Sequence, residues 1–315
     1  MVSRRLLRIK AMQMLYAFHQ SENPSLSKFE KELFFSIDKI YELYHLMLLL
    51  IVDISDFFDE RSELSKNKHI PTEEEKNPNT KFLDNKIIKQ IANNKKLKEY
   101  CNSNKLNWSN YPELIRKFYQ EIKDSDAYAQ YMSNPESSFK SDKEIVANIY
   151  ENIIATSESL HEILEEKSIY WNDDIEFVVS MIIKTIYEFR ETQSEDAKLL
   201  PLFKNDEDRE YIKTLFHKAI MNHKENSELI DQFTTKWDLE RIAFMDIILM
   251  ELALTEVTEI SSVPIKVSIN EYIEISKYYS TNKSSIFING VLDKIIDHLK
   301  KTNKIKKLGR GLMEK

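Results

Sequence analysis

Glycine is nearly absent from this chain, at 3 of 315 residues, where an ordinary soluble protein has about 7%. Positive φ is cheap only for glycine, and two-residue hairpins and glycine-rich phosphate cradles both depend on it. The shortage argues against a Rossmann or P-loop enzyme and for an all-α chain. Cysteine is scarcer still. Cys101 stands alone, so no intramolecular disulfide and no cysteine-based zinc cluster is expected, and the chain reads as cytoplasmic. Long apolar runs are missing as well: "LYHLMLLLIV", Leu43 to Val52, is closed by Asp53, well short of the roughly 20 residues that cross a bilayer. It reads as buried helix, with no membrane partner. The amino end lacks a continuous apolar stretch followed by small residues, so a secretory leader is not expected.

Acid is missing at the chain's start. Residues 1 to 21 carry +4 and no Asp or Glu, residues 293 to 315 carry +5, and a formal net charge of -7 therefore leaves -16 on the body between them. An anionic partner would meet the ends rather than the body.

What is present is helical periodicity. In "SRRLLRIKAMQMLYAFHQS", Ser3 is a suitable N-cap, and Leu7, Ala11, Met14, Leu15 and Phe18 form one apolar stripe. Arg5 and Arg8 lie to one side of that stripe with Tyr16 and His19, Lys10 lies on the other flank, and Arg4 sits at the start. Cations in a first helical turn oppose the helix dipole by about 0.3 to 1 kcal/mol each. Their placement calls for an anion, and cations beside an aromatic ring suit phosphates and a stacked base. Plain surface cations and an Arg-rich organelle presequence are the competing readings.

A second helix is expected from Leu26 to about Glu63, followed by an aperiodic, proline-containing linker at 65–81. Further helical patterns run to about Pro201, the clearest being Lys143 to Tyr170 and Ile175 to Glu191. A final bundle is expected from helices at Arg209 to Asn222, Ser227 to Thr235, Asp238 to Leu254, Pro264 to Tyr279 and Ser284 to Lys301. Pro264 suits a first helical turn, and Ser284 suits an N-cap. The division is 1–64, a helical insertion at 65–205, a carboxy-terminal bundle at 206–301, and a basic tail at 302–315. No catalytic constellation is found. His161 and Glu165 read as an exposed i,i+4 pair, and His217 and His223 point to different faces; no metal or cofactor is expected.

Three segments resemble the NusB family of bacterial transcription antitermination factors: "RRLLRIKAMQMLYAF", "WDLERIAFMDIILMELA" and "VPIKVSINEYIEISKYYSTNKSSIFINGVLDKI". The last keeps the family spacing from Val263–Pro264 to Asp293 without a gap. The resemblance covers the first helix, part of the second and residues 209 to 300. Residues 65–205 resemble the insertion of the enlarged Bacteroidetes-type forms. It implies two packed helical bundles of NusB type, no catalysis, and binding of the boxA segment of nascent ribosomal RNA together with NusE, within the RNA polymerase antitermination complex. Carried over by position, the RNA-binding residues are Arg4, Arg5, Arg8, Gln13 and Tyr16, then Ser284, Phe287 and Asn289. Lys10 is added from its charge. Lys283 stands where an acid is common in the family, which favours RNA, while Ile286 replaces a familiar lysine. Gly290 is expected to admit the close approach of another helix. A helical protein scaffold with an acidic body, and a free-standing relative of the NusB-like domain of rRNA methyltransferases, are the alternatives.

Overall fold

The computed structural model describes residues 1–234 and 242–312. It is all-α, with no strand among the described residues. The helices are α1 (Arg4–Gln20), α2 (Leu26–Lys66), α3 (Glu73–Lys76), α4 (Lys86–Asn93), α5 (Lys95–Asn104), α6 (Pro112–Lys123), α7 (Asp126–Ser133) and α8 (Phe139–Ile149). They continue with α9 (Glu158–Lys167), α10 (Ile175–Glu188), α11 (Asp206–Met221), α12 (His223–Thr234), α13 (Phe244–Glu259), α14 (Ile265–Tyr279) and α15 (Ser284–Lys301). The chain forms two units, Met1–Ile37 with Leu202–Lys315, and Asp38–Pro201. The second unit thus begins inside α2, whereas the sequence places the division at 64/65. Within the expected linker 65–81, α2 runs on to Lys66 and the short α3 spans Glu73–Lys76, and residues 38 to 66 of α2 belong to the unit that follows them.

In the discontinuous unit α13 is the hub, packed by α1, α11, α12, α14 and α15. Its apolar residues face every direction: Ile248, Leu249, Met250, Leu252, Ala253, Leu254 and Val257 are all buried. A helix hydrophobic all round is a core helix, and each large side chain removed from water contributes about 1.5 to 3 kcal/mol. Helix α1 joins this core through Leu7, Ala11, Met12 and Leu15, none of them exposed. Met12 takes the buried place that the stripe assigns to Met14, which is half-buried. Ser3 caps α1 as expected, its Oγ accepting from the Leu6 N–H at 3.2 Å.

In the contiguous unit the apolar run of α2 is buried, with Leu43, Tyr44, Met47, Leu48, Leu50 and Ile51 at 0 to 1% exposure where they matter to the core. No helix among the described residues is long and apolar enough to cross a membrane. Large side chains dock on α2 with their polar tips satisfied by its carbonyls: Trp108 Nε1 donates to Leu46 O at 2.9 Å, Tyr150 Oη to Met47 O at 2.8 Å, and Trp171 Nε1 to Lys39 O at 2.8 Å. This aromatic docking breaks the single helix that the sequence suggests from Lys143 to Tyr170. Helix α8 widens into a π-turn at Tyr150–Ile154, where the Ala155 N–H reaches back to Tyr150 O at 2.9 Å, and α9 restarts on the Ser157 cap. The start of the expected helix Asp238 to Leu254, and Trp237 before it, lie outside the described residues.

Burial, with repulsion from Asp56 second, lifts the Asp53 carboxyl from 3.8 to about 6 against a backbone hydrogen bond at Trp108. A raised folded-state pKa means stability that is intact at low pH and is lost as pH rises through about 6. Asp53→Asn, neutral throughout, is expected to melt above the wild type at about pH 8 and to lose that advantage toward about pH 4. Thermal denaturation followed by circular dichroism across that range measures the gap. A constant gap would rule out the titration.

Candidate nucleic-acid interface

The anion demanded by the first turns of α1 is found inside the protein. Arg8 is buried at 2% exposure and Glu256 of α13 at 0%, and the two form a fork-to-fork pair, Nε to Oε2 at 2.8 Å and Nη2 to Oε1 at 2.6 Å. Glu256 also accepts from Tyr211 Oη (2.9 Å), Tyr272 Oη (2.9 Å) and Ser268 Oγ (3.0 Å). Burial pushes the Glu256 carboxyl upward, and the Arg8 and tyrosine hydrogen bonds overcome it, leaving the pKa below 4.5. Burial likewise opposes the Arg8 charge, and Glu256 overcomes it and raises the Arg8 pKa. Both tyrosine hydroxyls are driven well above their usual range, first by burial and then by the Glu256 charge. Arg8 therefore holds α1 to α13, α11 and α14 and does not present its charge to solvent.

Arg4 and Arg5 differ from it. Arg5 donates to Glu271 of α14 through Nε and Nη2, both at 2.8 Å, but its side chain is 52% exposed. Arg4 Nε reaches Asp208 at 3.0 Å with 33% exposure and lies over the Tyr211 ring, 4.8 Å from its centroid. With Ser3, Val263, Pro264, Val267 and Glu271 these arginines line a groove of about 670 Å³. The groove has a charged wall from α1 and an apolar wall from the start of α14.

The other sequence-selected residues divide by burial. Tyr16 is 39% exposed and holds the Phe244 ring edge-on at 5.4 Å; Gln13 is half-buried beside it in sequence. Arg5 and Tyr16 differ by 11 residues, so they share one line along α1 about 16 Å apart. Lys10 is 2% exposed and is corrected to a core position, since its flank of the helix faces the bundle. Ser284 is 1% exposed and is corrected likewise. It is the first residue of α15 after Lys283 rather than the N-cap, and its Oγ donates to Asp246 Oδ2 at 2.9 Å while accepting from the Thr281 N–H at 3.1 Å. Lys283 and Asn289 are exposed and Phe287 is half-buried, so they form the accessible part of this second region. Gly290 is exposed, and a Cβ there would meet nothing within 4 Å. The close helix approach expected of it is absent. Gly311 is the glycine that a neighbour requires, since its Cβ would fall 1.9 Å from Ser261 O.

Sequence reasoning found the cations and missed their partners, Glu256, Asp208 and Glu271, together with the apolar wall at Val263, Pro264 and Val267. The acids lie 248, 204 and 266 residues further on, beyond the reach of any local pattern. One signal was available: Glu256 lies within the apolar run of α13, and a carboxylate placed there needs a buried partner.

The NusB family model matches residues 180–297. The transcription antitermination protein NusB of Salinibacter ruber is 35% identical over 138 residues, which is 42% of this chain and 86% of that protein. Its counterpart in Chloroherpeton thalassium is 40% identical over 106 residues, 34% of this chain and 50% of the relative. The solved structure of T. maritima NusB aligns with 26% identity over 44% of this chain and 84% of its own, at a TM-score of 0.29.

Removing one partner of a buried, hydrogen-bonded pair costs about 3 to 5 kcal/mol, so Arg8→Ala and Glu256→Gln are each expected to lower stability by that order. In a double-mutant cycle the losses should be far from additive, as read by urea denaturation; additive losses would show that the pair is not coupled. The depressed Glu256 pKa adds stability that is present above 4.5 and lost as pH falls through the folded-state value. Gly290→Ala is expected to add about 0.5 to 1 kcal/mol, because an exposed helical glycine lacks compensation.

Proposed function

Because the chain belongs to the NusB family, whose members are non-enzymatic transcription antitermination factors, we propose that it binds boxA-type single-stranded ribosomal RNA. In this reading it acts in the cytoplasm with NusE as partner, within the RNA polymerase antitermination complex. The observation that carries the reading is the groove at the amino end of α1, where Arg5 is held by an exchangeable counterion. An ion pair that is half exposed is worth little, about 0 to 1 kcal/mol. A phosphate can therefore take the place of the Glu271 carboxylate, offering the same two-oxygen geometry to the guanidinium. Hydrogen bonding to Glu271 raises the Arg5 pKa, and a guanidinium is charged with or without that partner.

Each accessible cation has a defined share. Arg5 takes a phosphate directly, and Arg4 supports it from the rim while stacked on Tyr211. Further along α1, Tyr16 offers a ring face and Gln13 a polar neighbour for an unstacked base, worth about 1 to 3 kcal/mol per base stacked. Lys283, Phe287 and Asn289 supply the same combination of cation, ring and amide at the start of α15. Arg8, Lys10 and Ser284 shape the surface from beneath. Single-stranded RNA is recognised by this mixture of phosphate contacts and stacked bases.

Titration of a boxA-like oligonucleotide against salt, with and without NusE, tests the reading. Arg5→Ala is expected to make the log K against log salt slope shallower by about 0.7, the share of one phosphate on a single strand, with an unchanged melting temperature. Glu271→Gln removes the competing carboxylate and is expected to tighten RNA binding. Binding unaltered by Arg5→Ala, by Tyr16→Ala and by Lys283→Ala would remove the proposed interface.

A further inference from the structure

The opposite end of α1 carries a second cluster that RNA recognition does not use. His19 lies in the last turn of α1, His223 opens α12, and Glu251 sits in the middle of α13. Their ligand-type atoms all lie within 4.8 Å of one another. Glu251 is 0% exposed. Its Oε1 accepts from Ser227 Oγ at 2.9 Å and faces His223 Nδ1 at 2.9 Å. Its Oε2 faces His19 Nε2 at 3.5 Å, and neither of those two buried atoms has a hydrogen-bond partner. The two imidazole rings lie 4.2 Å apart, centroid to centroid, tilted by 40°. The His19 ring is flanked by Phe244 and Phe18 in edge-on contact.

A buried carboxylate oxygen and an imidazole nitrogen that face each other at 3.5 Å with no hydrogen bond are costly unless something positive lies between them. Two imidazoles and one carboxylate converging beside the Phe18 and Phe244 rings are what a borderline transition-metal ion takes. Bonds of about 2.1 Å at tetrahedral angles place ligand atoms about 3.4 Å apart; the His19 separation of 3.5 Å matches this, and the 2.9 Å to His223 would open slightly around an ion. We propose that His19 Nε2, His223 Nδ1 and Glu251 form a site for a divalent transition-metal ion of the zinc or cobalt class. Ser227 fixes the carboxylate from outside the coordination sphere. His223, with 45% of its side chain exposed, gives the ion its way in and leaves a fourth position open to water. The ion would join the end of α1 to the start of α12 and the middle of α13, about 21 Å along α1 from Arg5, so its occupancy is separable from the phosphate contact at Arg5, although Tyr16 lies one turn from His19 and shares the Phe244 ring with it.

The test uses the untagged full-length protein, stripped with chelator and titrated with Co²⁺ alone. One Co²⁺ per chain with visible d–d bands, bleached by added Zn²⁺ and accompanied by a raised melting temperature, is the expected result. His223→Ala alters a half-exposed residue and is expected to keep the circular dichroism spectrum. It should weaken Zn²⁺ binding by at least about 100-fold, since even outer-shell partners of a metal cost about 10- to 100-fold. Glu251→Gln should likewise abolish the cobalt spectrum. The change in salt slope on Arg5→Ala should be the same in a His223→Ala background as in the wild type. Absence of a stoichiometric cobalt spectrum from the wild type, or Zn²⁺ affinity equal in wild type and His223→Ala, overturns the site and leaves the cluster an ordinary histidine–carboxylate pair.

Discussion

The buried pair between Arg8 and Glu256 sets the terms for the amino end of this protein. A guanidinium and a carboxylate removed from water are stable only when nearly every polar atom between them is engaged. Here the carboxylate receives both arms of Arg8, two tyrosine hydroxyls and a serine hydroxyl. Those donors come from α1, α11 and α14, so one acid on α13 fixes the position of three neighbouring helices. Arg4 and Arg5 lie on the turn of α1 just before Arg8, so the buried pair also fixes where those two more exposed arginines emerge.

The same logic repeats along α13. An apolar helix packs against many partners with little discrimination, and polar residues inside it select among them. Asp246 accepts from Ser280 and Ser284 at the junction of α14 and α15, and Thr255 accepts from Asn226 of α12. Asp246 and Thr255 are satisfied by these neighbours, and a helix seated in another place would leave such a residue unpaired at a cost of about 1 to 3 kcal/mol. Lys307 adds to the arrangement from the tail. It donates to the carbonyls of Ile260 and Glu256 at 2.9 and 3.3 Å, and burial lowers its pKa to about 8, so a residue that counts as tail charge in the sequence is in part a helix cap.

Much of the fold was legible because it rests on short-range signals. Periodicity, Ser3 as a cap and the scarcity of glycine suffice for an all-α chain and for α1, α2, α14 and α15 within a few residues. The break at Tyr150 was hidden, since it depends on a hydroxyl finding a carbonyl 103 residues away. The candidate interface was half legible. The charges stand where the sequence puts them, but whether a cation meets solvent or an acid is decided across the bundle. Arg5 and Arg8 are three residues apart and read alike; one is 52% exposed and the other 3%.

The discontinuity of the first unit bears on how the chain is made. Helix α1 leaves the ribosome at the outset, yet α11 and α13, which cover its apolar side, follow only after the whole of Asp38–Pro201. At about 5 to 20 residues per second this is a wait on the order of 10 to 50 s. The contiguous unit can complete itself in that interval. Throughout it, Leu7, Leu15 and Arg8 have no bundle to enter, and the buried ion pair can form only once translation delivers Glu256.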